Sequence, residues 1–146
     1  MLQPAIEILD NHRMMAISTV RPDGWPQTTI VGYANDGWKA YFLIFRASQK
    51  FDNIAKDDRV SIAVTSDTSF LGEIKAVYAG AHAAEVTDAE ERGAAWKLLM
   101  ERHPNLLDFG LPDNQETALM RADCKYVSVL DYSKGIGHTE ALTVGE

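Results

Sequence analysis

The pattern of apolar and polar positions divides the chain into short strand-like runs separated by turn residues. Residues 14–20, MMAISTV, are rich in apolar and β-branched side chains and predict a strand. Arg21-Pro22-Asp23-Gly24 follows as a turn, because Pro sets one backbone angle and Gly supplies positive φ. Residues 27–34 predict a second strand, with Thr28, Ile30 and Gly32 on one face and Thr29, Val31 and Tyr33 on the other. Asn35-Asp36-Gly37 is a hairpin turn, and residues 38–45 are a third strand, so the first three strands form an antiparallel meander. A fourth strand is expected over 59–65, then a polar loop over 66–72, then a long strand over 73–86. Gly80 within that strand predicts a bulge or a bend. A sixth strand is expected over 125–132.

Helical spacing occupies the gaps. Residues 4–11 predict a short helix with Ile6, Leu9 and Ile8 on its apolar side. Residues 49–56 predict another, closed by Asp57-Asp58. Thr87-Asp88-Ala89-Glu90 reads as a capping box that opens a helix running to about Arg102, with Ala94, Ala95, Leu98 and Leu99 as its buried stripe. Pro104 lies just past its end, where it cannot continue the helix. Residues 105–115 are irregular, 116–121 predict one more helical turn, and 133–146 take no assigned element. Strands placed in this order do not form repeated strand-helix units. They point to a mainly β fold, a small antiparallel barrel with peripheral helices.

Composition narrows the class. With 146 residues, 46% hydrophobic and 24% charged, the chain reads as one globular domain over 1–146 with a sizeable core. A net charge of −7 and a pI near 5.0 argue against a general nucleic-acid surface, which needs a basic face. The single cysteine, Cys124, forms no internal disulfide and no cysteine-based zinc cluster, and it fits a reducing cytoplasm. No run approaches the roughly 20 apolar residues of a membrane span. Residues 1–13 carry Glu7 and Asp10 and lack a signal peptide's apolar centre, so a cytoplasmic location is expected.

The chemistry-bearing stretch is Phe45-Arg46-Ala47-Ser48-Gln49-Lys50-Phe51-Asp52-Asn53-Ile54. It lies where the third strand turns into a helix, an end that offers unpaired N–H groups and partial positive charge. Two cations and a hydroxyl there make a phosphate seat of Arg46, Ser48 and Lys50. The same residues also suit a plainer role, with Ser48 as an N-cap and the cations as solvated charges. His82 shares a face with Tyr78 and Gly80 and reads as structural. His138 reads as an exposed loop residue, Trp96 as part of a helix's buried side or an interface, and Cys124 as a small buried residue. There is no nucleophile motif, no metal-ligand cluster and no Gly-rich phosphate loop. Any redox chemistry therefore belongs to a cofactor.

The order of these pieces resembles the flavin-binding split-barrel superfamily, also called pyridoxamine 5′-phosphate oxidase-like proteins, over about residues 1–144. The resemblance rests on Met15-Ala16-Ile17-Ser18-Thr19-Val20, on Pro26-Gln27-Thr28-Thr29-Ile30-Val31, and on Arg46-x-Ser48-x-Lys50-x-x-Asn53-Ile54 followed by Asp58-Arg59-Val60-Ser61-Ile62. Tyr78-Ala79-Gly80-Ala81-His82-Ala83 and Thr87-Asp88 complete it. It implies a six-stranded antiparallel split β-barrel and a homodimer with flavin mononucleotide (FMN) at the subunit interface. It also implies that Arg46, Ser48 and Lys50 hold the phosphate, and that Thr28, Thr29 and Ile30 meet the flavin ring, with Phe45 nearby. The implied activity is FMN-dependent oxidation or reduction of a small molecule. The Arg-rich ending of true pyridoxamine phosphate oxidases has no counterpart in the tail around 131–139, so that activity itself is not implied. Related branches bind a deazaflavin (F420) or haem, and a module for storage or sensing without turnover is the alternative. An oligonucleotide-binding barrel is disfavoured by the acidic balance and the lack of an aromatic-and-basic strand pattern.

Overall fold

Two glycines with positive φ, Gly24 at 84° and Gly37 at 57°, close the tight turns that fold the first three strands against one another. The computed structural model describes residues 3–106 and 116–145. In chain order the elements are α1 (Gln3–Asp10), β1 (Met14–Val20), β2 (Pro26–Asp36), β3 (Lys39–Phe45), α2 (Gln49–Lys56), β4 (Arg59–Thr65), β5 (Lys75–Glu85), α3 (Ala89–Arg102), β6 (Thr117–Asp131) and β7 (Thr139–Thr143). The strand order is β3-β2-β1-β4-β5-β6-β7, every pair is antiparallel, and β3 also pairs with β6. That last pairing closes a six-stranded barrel and leaves β7 outside it. The expected fold class is therefore the observed one.

β6 makes closure possible. Its first half, Thr117–Asp123, pairs with β3, and its second half, Tyr126–Leu130, takes β7. The register against β5 slips between Gly80 and Ala81, with Lys125 as the extra residue on β6. The irregularity falls at Gly80, where one was expected, but the bulged strand is β6 rather than β5, and the bulge lets β6 serve two partners.

Inward-facing Met15, Ile17, Tyr33, Phe42, Ile62, Val64, Val77, Met120 and Val127 form the core, joined by Ala5, Ile8 and Leu9 of α1 and Ile54 of α2. α1 sits at the barrel end where β1 begins, held by the Tyr33 hydroxyl donating to the Leu9 carbonyl at 2.6 Å. α2 sits at the opposite end, where Asn53 bonds Thr19 of β1. α3 covers the outer faces of β2, β3 and β6, packing Ala95 and Leu99 on Ala34, Tyr41 and Leu119.

Several expectations need correction. Residues 117–121 are strand, not a helical turn: Ala118, Met120 and Ala122 face the core and Leu119 faces α3, so the segment is buried on both sides and ladder pairing overrides its helix propensity. The N-cap of α3 is Asp88, whose carboxylate accepts from the Glu91 amide at 2.9 Å, rather than Thr87. Ala94 is exposed, because α3 turns Ala95 and Leu99 inward and leaves position 94 on its outer side. Ile6 is only half-buried, while Ala5 joins Ile8 and Leu9 on the buried side of α1. The tail does contain an element, β7. Most of the irregular stretch 105–115 lies outside the described residues.

Candidate functional site

The barrel is split between β2 and β3. Their ladder covers only Tyr33–Asp36 against Lys39–Phe42, and beyond Tyr33↔Phe42 the strands part. Extending that register sets Gly32 opposite Leu43 and Ile30 opposite Phe45, as two lips of a cleft. On the other side of β2, the Tyr33 amide donates to the Arg13 carbonyl at 3.0 Å, which fixes the odd residues as those bonded to β1. The amides and carbonyls of Thr28, Ile30 and Gly32 therefore face the split, and no described strand pairs with them there.

Side chains divide along the same alternation. Thr28 and Ile30 point to the outer face, where the Thr28 hydroxyl meets Ser18 Oγ at 2.7 Å and Ile30 is 63% exposed. Thr29 lies on the inner row with Val31 and Tyr33, and its buried hydroxyl has no hydrogen-bond partner among the described residues. Phe45, across the split, is 56% exposed. The deeper end of the split is filled. His103 stands over Gly32, where an added Cβ would lie 3.0 Å from the imidazole Cε1, and its Nε2 donates to the Tyr33 carbonyl at 2.9 Å. With Leu43, Leu99 and Leu106 it borders a cavity of about 140 Å³.

The strand-to-helix junction adjoins the open end. Ser48 is the N-cap of α2: its hydroxyl accepts from the Phe51 amide at 3.3 Å and donates to the Phe45 carbonyl at 2.7 Å. The plainer role is thus real, and the cap takes up the Phe51 amide of the helix's first turn. Lys50, half-buried in that turn, has no hydrogen-bond or ion-pair partner among the described residues. Arg46 is engaged: both terminal nitrogens donate to the Glu85 carboxylate, at 2.8 and 2.6 Å, and the guanidinium lies 5.6 Å from the Phe51 ring centre. Beneath α2, Asn53 donates to Thr19 Oγ1 at 2.9 Å and Gln27 Oε1 at 3.2 Å and accepts from Gln49, so the helix is locked to β1 and β2.

Sequence reasoning missed Glu85 and His103. Glu85 ends a long strand and only the closed barrel brings it to Arg46, so nothing local marks it. His103 follows α3, and its link to β2 spans seventy residues. The other candidates are accounted for: His82 pairs with Asp58 at 3.1 Å, His138 with Glu140 at 3.3 Å, and burial pushes the Cys124 thiol up to about 12, out of nucleophile range. Trp96 is half-buried against α3's partners. Among the described residues no three His, Cys, Asp or Glu side chains are grouped to hold a metal, and no helix is long and apolar enough to cross a membrane.

A closed six-stranded antiparallel barrel, split beside a helix N-terminus that carries cations, defines a split-barrel protein. The family model described as pyridoxamine 5′-phosphate oxidase matches residues 2–131, and the chain belongs to that family. A comparison with curated proteins finds no match. Among solved structures, a haem-binding protein from Mycobacterium smegmatis superposes with a TM-score of 0.80 at 18% identity, covering 95% of this chain. The chain spans only 57% of that protein's length. HutZ, the haem storage protein of Vibrio cholerae, gives 0.72 at 23% identity, covering 85% of this chain and 90% of its own. An FAD-binding protein from Mesorhizobium loti gives 0.68 at 21%, covering 84% and 88%. Likeness at these identities speaks for the fold.

Proposed function

We propose that the chain binds FMN in the split and uses it to oxidise or reduce a small molecule, as a homodimer. One observation carries this reading: an unpaired strand edge and an anion seat lie side by side. The edge at Thr28, Ile30 and Gly32 presents alternating donors and acceptors, which suits the polar rim of a flavin ring. Ile30 and Phe45 supply apolar walls for the ring faces. The α2 amides, Ser48, Lys50 and Arg46 suit the phosphate. The group fits because an anion already stands on Arg46, in the form of Glu85. Thr29 directs its amide and carbonyl to β1 and its side chain inward, so it supports the edge rather than meeting the ring.

Bound there, FMN would supply the electron transfer. The chain's own residues bind, orient and shield. Lys50 and Arg46 neutralise the phosphate, the β2 edge fixes the ring's rotation, and Ile30 and Phe45 keep water from its faces. A second copy is proposed to complete the shield. The outer face of β1, β4, β5 and β6 has a hollow of about 370 Å³ lined by Ala16, Ser18, Ala63, Tyr78, Tyr126 and Ser128. Small residues there allow close approach, and the exposed aromatic rings of Tyr78 and Tyr126 are the type enriched at interfaces.

Haem is the second reading. The haem proteins above share the fold, and His103, oriented by the Tyr33 carbonyl, leaves Nδ1 without a partner among the described residues. The visible spectrum of protein purified from cells separates the two, since a Soret band and a flavin spectrum do not resemble each other. Ser48→Ala with Lys50→Ala tests the seat. FMN affinity should fall at least about tenfold, the loss of a charge-assisted contact, with the circular dichroism unchanged. Unchanged affinity would put the phosphate elsewhere.

A further inference from the structure

We infer that Glu85 is a built-in competitor for the phosphate seat, occupying Arg46 until a more highly charged anion displaces it. The inference rests on the flavin reading for the identity of that anion, but not for the contact itself.

Arg46 leaves β3 at Phe45 and stands two residues before the N-cap of α2. Its guanidinium meets Glu85 end-on, one nitrogen to each oxygen, at 2.8 and 2.6 Å. This is the fork geometry by which arginine also takes a phosphate, so one guanidinium edge cannot serve both. The stack on Phe51, in the first turn of α2, fixes the clamp beside the helix amides. Glu85 comes from the last position of β5, at the same barrel end, with its side chain 29% exposed against 38% for Arg46. Bidentate but largely at the surface, the pair has better geometry than a typical surface ion pair and is not so desolvated that exchange is forbidden. A phosphate dianion carries about twice the charge of a carboxylate and gains the α2 amides and Lys50, which Glu85 leaves unused. The exchange therefore favours the dianion, while a ligand with one weak negative charge or none gains nothing from Arg46. Glu85 thus taxes every ligand that engages the seat and selects for the dianionic ones.

The test uses the full chain, Glu85→Gln and Glu85→Asp, with FMN, riboflavin (the same ring without the phosphate) and inorganic phosphate as probes. Glu85→Gln keeps the shape and removes the charge. It should tighten FMN about tenfold while moving riboflavin less than about twofold, the difference one displaced ion pair makes. Glu85→Asp, one methylene shorter, loosens the fork and should fall between; it keeps the test open if Glu85→Gln does not fold. In an Arg46→Gln background the gain should vanish, because the ion pair through which Glu85 competes is gone. Weaker or unchanged FMN binding in Glu85→Gln would overturn the inference and make Glu85 a positioning residue for Arg46. If the wild type takes up neither flavin, the flavin reading fails on its own. The competitor is then read from inorganic phosphate, which should raise the melting temperature of Glu85→Gln more than that of the wild type. An equal rise would overturn it.

Discussion

Asn53 is fully buried and polar, in the middle of a helix that the core needs. It is tolerated because both ends of its amide are met: Nδ2 donates to Thr19 and Gln27, and Oδ1 accepts from Gln49. Asn53→Ala removes those partners together and leaves Thr19 buried with its hydroxyl bond lost. A loss of about 2 kcal/mol in unfolding free energy is expected, the cost of stranding a buried polar group, measurable as a lower urea midpoint. A change within experimental error would mean that water replaces the amide. The position was visible in the sequence as part of the stretch that follows Lys50, but its partners were not. Thr19 and Gln27 lie 34 and 26 residues away. Ser48 contrasts with it, because an N-cap acts on amides three residues on and is legible locally.

α3 is held by a charged cluster rather than by burial alone. Glu91 in its first turn accepts from Arg121 of β6 at 2.7 and 2.8 Å and from the Tyr41 hydroxyl of β3 at 2.8 Å, and Arg121 also donates to Asp123. The Arg121 hydrogen bonds, then the Tyr41 hydroxyl, hold the Glu91 carboxyl below its usual 4.5. A depressed carboxylate stabilises fully above the unfolded value and loses that contribution as pH falls through the lower folded one. The wild type should therefore be more stable than Glu91→Gln at neutral pH, and the gap should close as pH falls below 4.5. Urea midpoints of both proteins across that range check it; parallel curves down to about pH 3 would show that the cluster does not clamp the helix. The helix itself was legible within a residue at its end, because Arg102 and Pro104 mark it. Its start was displaced because Thr87-x-x-Glu90 and Asp88-x-x-Glu91 are both capping patterns one residue apart, and packing picks the second. The start of β6 was not legible. Thr117-Ala118-Leu119-Met120 lacks the alternation of a half-exposed strand, since one side faces the core and the other faces α3.

For the molecule as a whole, the six barrel strands and the meander of the first three were readable because their turns are marked by Gly or Pro, while the place of β4 beside β1 was not. The closure through β3 and β6 was not, since it joins segments some eighty residues apart. The outer face is legible in neither way. Ala16, Ser18, Ala63 and Ser128 look like ordinary strand residues until the sheet sets them in one hollow. If a second copy seats there and completes the cofactor's shield, dimer formation and FMN binding are linked, and each must strengthen the other by the same factor. Ala63 is the place to test this. It is partly exposed on β4, opposite Tyr78, and belongs to neither the cleft nor the anion seat. Ala63→Arg puts a long charged side chain into the hollow, which Thr28 of β2 also lines, without touching Ser48 or Lys50. Sedimentation should show it as a monomer where the wild type is a dimer, and its FMN affinity should drop at least about tenfold, an ordinary coupling energy. The wild type's apparent affinity should rise with protein concentration over the same range. A monomeric Ala63→Arg that binds FMN as tightly as the wild type would mean that one chain holds the whole site, with the outer face serving some other contact.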